Sequence, residues 1–319
     1  MNPYFSIIIP MYNRERFITR AINSCLNQDF QDFEIIIIDD GSTDRSAQVV
    51  AEIGDPRIVL IRNEHNQERL ISRNIGAKAS KGEWLIWFDS DDELVPDALT
   101  IITQRINELP DDVFGLRFMC LLDSGQISPD PPHQNEIWDY EGFIRWIESH
   151  NGGWSESLPI VNKHTIQYVL FPEDNIFTSE MQYHLDFLAK YKVMACEDVL
   201  RLYHQDADNN TWKPNIEGML KTAPIFAARI ESVIAMHGSS IKKWAPKTYE
   251  VQYLGMITQL FLSNQKYKAC KKFLRGLKLG IYEFRGWIIM FFGIISPYLL
   301  AYAKNIQSAR KLKTGQLNK

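Results

Sequence analysis

The chain has 319 residues, a formal net charge of −4, 45% hydrophobic residues and 12% aromatic residues. This composition excludes a disordered chain, a collagen-like chain and a basic nucleic-acid-binding tail, and it fits one large or two modest globular domains. The four cysteines lie far apart and form no CxxC pair. We therefore expect neither a disulfide framework nor a zinc finger, and no nucleic-acid partner.

The N-terminal residues lead directly into an apolar segment, Phe5–Ile9. No basic region precedes this segment, and no small-residue cleavage pattern follows it. A secretory signal peptide is therefore not expected, and a reducing cytoplasm is the expected compartment.

Strand and helix patterns alternate over the first hundred residues. The apolar strands are predicted at Phe5–Ile9, Phe33–Ile38, Arg57–Ile61 and Trp84–Phe88. Because these runs are almost continuously hydrophobic, we expect a mostly parallel α/β sheet that is buried on both faces by helices. In such sheets ligands bind beyond the carboxyl ends of the strands.

Further along the chain, a strand or hairpin is predicted between about residues 111 and 130, and helical patterns prevail from Trp138 onward. Two more strands are predicted, at Lys192–Ala195 and Val199–Tyr203, and an all-helical segment follows Trp212. The sequence therefore predicts three parts: a catalytic α/β domain over residues 1–212, a helical extension over 213–265, and basic, apolar helices over 266–319.

Polar residues directly follow two of the predicted strands, at Asp39–Asp44 (DDGSTD) and Asp89–Asp92 (DSDD). Closely spaced carboxylates at a strand end suit Mg²⁺ or Mn²⁺, which take oxygen ligands together with water and substrate phosphates. An EF-hand loop is excluded, because its sixth and twelfth positions would be Leu94 and Thr100. Helix capping is the alternative explanation for both acidic segments.

Neither GxGxxG nor GxxxxGK[ST] occurs, which disfavours a nicotinamide-dependent enzyme and a P-loop phosphotransferase. Any phosphate charge would then have to be met by a metal ion. Asp39, at the very end of an apolar strand, is a candidate acceptor for a ligand N–H group, such as that of a nucleobase.

Four segments in chain order resemble the motifs of glycosyltransferase family 2. They are Ile7–Arg14 (IIIPMYNR), Asp39–Asp44, Arg73–Gly76 (RNIG) and Trp87–Asp92 (WFDSDD). The resemblance implies the GT-A fold, a Rossmann-like sheet, a nucleoside-diphosphate-sugar donor (a UDP-sugar is favoured), a divalent cation and mostly inverting chemistry.

The resemblance also implies roles for individual residues. Tyr12 would lie against the nucleobase, Asp39 would accept from its N3–H, and Asp91 would hold the metal ion that bridges the two phosphates. Arg69 and Arg73 would approach the nucleotide from the following helix, although Arg69 is also explained as a solvated helix residue. The implied donor-binding residues are Pro10, Tyr12, Asp39, Arg69, Arg73, Asp89 and Ser90.

The general base of such a transferase must come from outside the first hundred residues. Family members carry an acidic pair at the start of a helix, and Glu180 fits this position best, with Asp174 and Glu173 in reserve. The chain has Ser179–Glu180 where the family commonly has Glu-Asp. Stabilisation of the first helical turn is the alternative role for Glu180, and a turn between strands accounts for Glu197 and Asp198.

Two further residues are candidates of lower specificity. His204, after a predicted strand, is a possible metal or diphosphate ligand, although a lone histidine is more often structural. Trp154 follows two glycines and is a possible stacking platform for an acceptor sugar, although a core position is equally plausible.

The C-terminal part from Lys266 contains twelve basic residues and a single acid, Glu283. It combines a basic amphipathic segment with an uncharged run, Trp287–Ala303, that is shorter than the ~20 residues needed to cross a bilayer. We expect this part to attach peripherally to the inner face of the cell membrane. The alternative is a buried helix with a solvated basic face.

The sequence therefore predicts a metal-dependent glycosyltransferase of the hexosyl or N-acetylhexosaminyl type. It would act on a saccharide or lipid-linked acceptor in the synthesis of a surface polysaccharide or glycolipid. The alternatives are a sugar nucleotidyltransferase and a catalytically inactive, membrane-bound scaffold with the same fold.

Overall fold

The computed structural model describes residues 2–150, 155–172, 180–205, 216–278, 280 and 284–302. The chain divides into two compact units. Unit 1 comprises residues 1–146 and 153–209, and unit 2 comprises residues 147–152 and 210–319. The predicted three-part division stays a prediction.

Unit 1 is built on a ten-stranded sheet. The first five strands are β1 (Phe5–Met11), β2 (Phe33–Asp39), β3 (Ile58–Arg62), β4 (Trp84–Trp87) and β5 (Glu93–Leu94). The other five are β6 (Val113–Leu122), β7 (Ile127–Ser128), β8 (Glu136–Trp138), β9 (Leu158–Asn162) and β10 (Lys192–Tyr203). Eight of the strands follow the order β3-β2-β1-β4-β9-β6-β10-β5, and the remaining two pair at the side, β7 with β6 and β8 with β10.

Strands β1 to β4 form a parallel sheet, with β1 between β2 and β4. Every residue of β1, β2 and β4 is buried, as expected for strands that helices cover on both faces. The four strands predicted in this region are confirmed, with ends that differ by one or two residues. The mixed α/β fold class is also confirmed.

Among its described residues unit 1 has six α-helices. They are α1 (Ile18–Leu26), α2 (Ser46–Ile53), α3 (Arg69–Ala79), α4 (Ala98–Asn107), α5 (Tyr140–Ser149, which ends in unit 2) and α6 (Glu180–Leu188). Helix α3 packs closely on β1 at Gly76, where an added Cβ would lie 2.4 Å from Cγ2 of Ile8. This close approach fixes the height of α3 above the strand ends.

The sequence prediction was wrong in two places. Strand β9 lies in a region predicted to be helical and runs antiparallel between β4 and β6. The two strands predicted at residues 192–203 form the single strand β10, whose pairing with β6 is interrupted by register shifts around Ala195 and Val199. Both differences arise from long-range pairing, which local periodicity does not encode.

Unit 2 contains α7 (Ile216–Trp244), α8 (Pro246–Leu262), α9 (Lys266–Lys278) and α10 (Phe284–Ile295), followed by a helical segment at 297–302. Pro246 occupies the first turn of α8, where its missing N–H costs nothing. Helix α8 is the most buried of the four and supplies Met256, Ile257 and Phe261 to the core. Within the described residues, none of the helices has the length and apolar character required to span a bilayer.

Candidate donor-binding and catalytic site

The carboxyl ends of β2, β1 and β4 lie side by side. Asp39 is paired with Met11 at the end of β1, and the backbone N–H of Phe88 donates to Ile8 O at 3.1 Å. Because the three strands are parallel, the polar segments that follow them leave the sheet at the same edge. The sequence motifs are thus brought together by strand order.

The segment after β1 connects the two acidic segments. The backbone N–H of Asn13 donates to Ser42 Oγ at 3.0 Å, and Nη2 of Arg14 lies 3.5 Å from Oδ2 of Asp91. Asn13 has a φ of 52°, a left-handed conformation that asparagine adopts more readily than most residues. This tight turn allows Asn13 and Arg14 to reach the neighbouring segments on either side.

The predicted nucleobase-binding residues lie at this edge. Pro10 is buried within β1, and Tyr12, just beyond it, is 39% exposed. Asp39 is fully buried; its Oδ1 accepts from the backbone N–H of Ser42 at 2.9 Å, and its Oδ2 lies 3.1 Å from Nε of Arg62. In this structure Asp39 therefore stabilises the turn after β2.

Six charged side chains form a continuous network beside β4, which we call the carboxylate–arginine cluster. Its members are Arg69, Arg73, Asp89, Asp92, Glu180 and Arg201. Three arginines and three carboxylates make the cluster neutral overall.

Arg73 is the link between two acids of the cluster. Its Nη1 donates to Glu180 Oε1 at 2.7 Å, and its Nη2 donates to Asp89 Oδ1 at 2.9 Å. Nη2 of Arg69, one helical turn earlier, donates to the same Glu180 oxygen at 2.8 Å. The predicted base is thus held by two guanidinium groups.

Arg201 was not singled out by the sequence analysis. It is buried on β10, where its Nη2 donates to Asp89 Oδ2 at 2.7 Å and its guanidinium also contacts Asp92. A signal for it was present in the sequence: an arginine within an apolar strand pattern, Val199–Tyr203, must find a buried acidic partner. Only the fold identifies that partner.

The charges in the cluster shift the pKa values of its acids. Burial alone would raise the pKa of Asp89, but the guanidinium groups of Arg201, Arg73 and Arg69 outweigh this effect and hold it well below its usual range. Burial also raises the pKa of Glu180, but the charges of Arg69 and Arg73 outweigh burial and lower this pKa overall. As long as these contacts persist, Glu180 is ionised but weakly basic.

Asp91 has a longer ion pair than its neighbours Asp89 and Asp92. Its side chain is 20% exposed, and its Oδ2 lies 3.5 Å from Nη2 of Arg14. Burial and the neighbouring Asp89 raise its pKa. Within the described residues no group of three His, Cys, Asp or Glu side chains forms a ready-made metal site. A cation here would therefore need water or substrate oxygens as well as Asp91, which is the usual situation for Mg²⁺.

His204 is held between two acids. Its Nδ1 lies 2.9 Å from Asp123 Oδ1, its Nε2 lies 2.8 Å from Glu93 Oε1, and its backbone N–H donates to Asp92 at 3.0 Å. Both ring nitrogens are therefore engaged, and a metal ion could bind the ring only by displacing a carboxylate. The prediction that His204 ligates a metal stays a prediction.

Glu156 is a second residue that the sequence analysis missed. Strand β9 is antiparallel to β4, with Ile160 opposite Ile86, so the residues just before β9 lie beside the carboxyl end of β4. Burial raises the pKa of Glu156, and Asp89 and Glu180 act in the same direction. No local sequence pattern marks this residue.

The other predicted site residues are Ser90, Asp174 and Trp154. Ser90 is buried between the two aspartates of the DSD segment. Asp174 and Trp154 lie outside the described residues.

The parallel sheet, the acidic segments at its carboxyl edge and the antiparallel strands beyond β4 define the class of the protein: an α/β domain of the GT-A glycosyltransferase type. Residues 6–157 match the family model described as glycosyl transferase family 2. The match covers residues 6–157, and over these residues the resemblance inferred from the four motifs is confirmed.

Proteins similar to the chain point to the same class. A GalNAc(5)-diNAcBac-PP-undecaprenol β-1,3-glucosyltransferase of Campylobacter jejuni is 37% identical over 132 residues, which is 40% of the chain and 42% of that protein. The putative colanic acid biosynthesis glycosyl transferase WcaA of Escherichia coli is 36% identical over 115 residues, 35% of the chain and 41% of that protein. The chain thus spans about two fifths of the length of these curated relatives.

Solved structures share the fold over most of the chain. Staphylococcus aureus TarS 1–349 in complex with UDP-GlcNAc has a TM-score of 0.55 at 18% identity and covers 88% of the chain, which in turn covers 93% of that structure. The mannosyltransferase PcManGT from Pyrobaculum calidifontis, solved with GDP-Man and Mn²⁺, has a TM-score of 0.56 at 16% identity, with coverages of 96% and 88%. At these identities the likeness establishes the fold alone.

Proposed function

We propose that the protein is a glycosyltransferase that moves a sugar from a nucleoside-diphosphate sugar, a UDP-sugar in our proposal, to a hydroxyl group of a saccharide or lipid-linked acceptor. The observation that carries this proposal is the carboxylate–arginine cluster at the carboxyl edge of the family 2 domain. The product would belong to a surface polysaccharide or glycolipid, in keeping with the names of the Campylobacter and Escherichia relatives.

The donor nucleotide would lie across the ends of β1, β2 and β4. Tyr12, the most exposed aromatic residue at this edge, would cover the nucleobase, while Pro10 shapes the end of β1. Asp39 would accept from the base N3–H, and Asp89 and Ser90 would face the ribose.

The diphosphate would bind the exposed side of the cluster. Arg69 is 52% exposed, so its guanidinium group can reach a phosphate without rearrangement of the sheet. Arg73, buried one turn along α3, would bind phosphate by exchanging its hydrogen bond to Glu180. Arginine suits this task because its planar fork of N–H donors matches phosphate oxygens.

A divalent cation, Mn²⁺ or Mg²⁺, fits the chemistry of this edge. The cluster is neutral and Asp91 beside it is paired with Arg14 at 3.5 Å, so these side chains together offer no net positive charge to a doubly charged diphosphate. Asp91 would hold the ion. When bound, the ion would supply charge stabilisation for the departing diphosphate.

Glu180 would act as the general base. The acceptor oxygen attacks the anomeric carbon, the bond from that carbon to the diphosphate breaks with inversion, the acceptor proton passes to Glu180, and UDP leaves. In this structure Arg69 and Arg73 both donate hydrogen bonds to Oε1 of Glu180. Donor phosphates that bind these arginines would free Glu180 and raise its pKa, so the base would become effective only with donor present.

The other predicted residues have supporting roles in this proposal. His204 and its two acids border Asp92 and would take part in metal binding only after displacement of Glu93 or Asp123. Asp174 is the reserve base, and Trp154 would contact the acceptor sugar.

The test is a panel of UDP-sugars and GDP-mannose, assayed for UDP or GDP release with Mn²⁺, with Mg²⁺ and with EDTA. Transfer or metal-dependent hydrolysis of one donor supports the proposal. Asp91→Ala is expected to lose the cation-dependent part of donor binding, whereas Asp97→Ala, an exposed acid without a capping hydrogen bond, serves as the matched control.

Two results would overturn the proposal. Formation of a nucleotide sugar from a nucleoside triphosphate and a sugar phosphate would identify a nucleotidyltransferase. Metal-dependent UDP binding without turnover of any donor, across a range of saccharide and polyprenyl-linked acceptors, would identify an inactive scaffold.

A further inference from the structure

Helix α10 and the helical segment at 297–302 that follows it have one face packed on the protein and one face without a covering partner among the described residues. On the packed face, an added Cβ at Gly293 would lie 2.4 Å from the ring of Phe261, and Leu300 and Ala301 are buried. The other face carries large apolar side chains that are 41% to 65% exposed. They are Trp287, Ile288, Phe291, Ile294, Ile295, Tyr298, Leu299 and Tyr302.

These eight residues recur at helical spacing and form a single stripe, which we call the α10 stripe. Eight half-exposed large side chains present about 800 Å² of apolar surface, taking ~100 Å² for each. Soluble monomers rarely expose contiguous apolar patches above about 300–600 Å². The apolar area of the α10 stripe therefore exceeds that of an ordinary protein surface and indicates a binding surface.

Helix α9 lies beside α10 and adds charge to this surface. The ring centroids of Phe273 and Trp287 are 5.2 Å apart, and Lys266 Nζ donates to the carbonyl of Ile294 at 2.9 Å. The exposed side of α9 alternates cationic and apolar residues. Its members are Tyr267, Lys271, Leu274, Arg275, Leu277 and Lys278.

The cations on α9 fall into two groups. Lys268 and Lys272 are each 2.7 Å from a carboxylate oxygen of Glu231 on α7, so they serve the packing of unit 2. Lys271, Arg275 and Lys278 have no acidic partner within the described part of the chain. These three charges are available to an external anion.

We propose that the exposed sides of α9 and α10 form a docking surface for an anionic lipid membrane. Apolar side chains of the α10 stripe would enter the acyl boundary, and the free cations of α9 would contact lipid phosphates. Trp287, Tyr298 and Tyr302 are of the residue types that favour the boundary between headgroups and acyl chains.

Charge complementarity favours a lipid surface over a second copy of the chain. In a two-fold dimer each surface would meet its own copy, which would bring the cations of α9 close to one another without intervening acids. The segment from Lys266 to the C-terminus contains a single acid, Glu283, against twelve basic residues. An anionic bilayer satisfies the apolar stripe and the excess positive charge together.

The experiment is flotation of the full chain with two kinds of vesicles: phosphatidylcholine alone, and phosphatidylcholine with 30% phosphatidylglycerol, each at 50 and 500 mM NaCl. We expect binding to the anionic vesicles, weakened by salt, and much weaker binding to neutral vesicles. Phe291→Ser with Tyr298→Ser should reduce partitioning by about tenfold per residue, and Lys271→Gln with Lys278→Gln by about fivefold per residue.

The matched control is Met236→Ser with Val251→Ser. These two apolar residues of unit 2 are about half exposed but lie on α7 and α8, so their replacement should leave partitioning unchanged. Circular dichroism and UDP binding measured on every variant establish that the fold is intact. They also separate this proposal from the proposed function, because the substituted residues belong to unit 2 and the proposed donor-binding residues to unit 1.

Three outcomes would overturn the proposal. The first is failure of the folded full chain to float with anionic vesicles. The second is equal binding of the serine variant and the wild-type chain. The third is a concentration-dependent dimer that the serine variant converts to monomer, because the stripe would then be covered by a second copy.

Discussion

Replacing the predicted base, Glu180→Gln, should change donor binding and sugar transfer in opposite directions. In the structure Glu180 Oε1 accepts from Arg69 at 2.8 Å and from Arg73 at 2.7 Å, and the donor diphosphate must take both guanidinium groups from it. Glutamine keeps one acceptor oxygen but loses the charge. We therefore expect UDP to bind more tightly while transfer nearly stops.

The size of the binding effect follows from the two contacts. A hydrogen bond to a charged partner contributes about 1.5–3 kcal/mol, whereas an exposed ion pair contributes about 0–1 kcal/mol. Arg73 is buried and Arg69 is half exposed, and glutamine retains part of each bond. A net release of about 1–1.4 kcal/mol corresponds to a five- to tenfold gain in UDP affinity. Loss of the base should lower kcat by about 10²–10⁴-fold.

Isothermal titration of UDP in MnCl₂, together with initial transfer rates, measures both quantities on the same preparation. Glu197→Gln is the matched control, since Glu197 is an exposed acid bound to Asn135 away from the arginines. Unchanged or weaker UDP binding in Glu180→Gln would refute the competition for the arginines. Full transfer activity would refute the role of Glu180 as base and make Asp174, the reserve base, and Glu156, whose pKa is raised by burial, the next carboxylates to replace.

Three further predictions concern stability. Arg201→Met leaves the buried carboxylate of Asp92 without its ion-pair partner and removes one of the guanidinium groups that hold Asp89, so it should destabilise the protein by about 3–5 kcal/mol, seen as a fall in Tm of roughly 10 °C. Gly76→Ala should cost about 1–3 kcal/mol in urea unfolding, because the new methyl group would overlap Ile8; an unchanged midpoint would contradict the packing of α3 on β1. Asp89 and Glu180 have pKa values below those of the unfolded chain. The ion pairs of these two acids therefore stabilise the fold fully above about pH 4.5, and this stabilisation is lost as the pH falls through the folded-state pKa values. A Tm that stays constant from pH 5 to pH 3 would count against these ion pairs.

The local pattern of the first hundred residues was sufficient to predict the parallel sheet. Runs of isoleucine such as that in β2 are buried on both faces wherever they pair, so their role depends little on distant sequence. The acids after β2 and β4 could be predicted to meet for the same reason: parallel neighbours end at one edge. The sequence therefore predicts that Asp39, Asp89 and Asp91 lie at one edge of the sheet.

Contacts between distant segments could not be predicted in this way. Arg201 joins Asp89 across 112 positions of sequence, and β9 becomes a strand only because β4 and β6 both offer it hydrogen-bonding edges. Likewise, the pattern of α6 places Glu180 at the start of a helix but does not reveal that two arginines of α3 hold it.

The amino-acid sequence by itself thus determined the fold class, the family of the domain and the acids at the strand ends, because each depends on residues close together in the chain. The tertiary structure alone decided the partners of those acids, which carboxylates are held by arginines, and which faces of α9 and α10 lack a partner among the described residues. The physical reason is that burial and ion pairing depend on distance in space, and local periodicity carries no information about which distant segments come together.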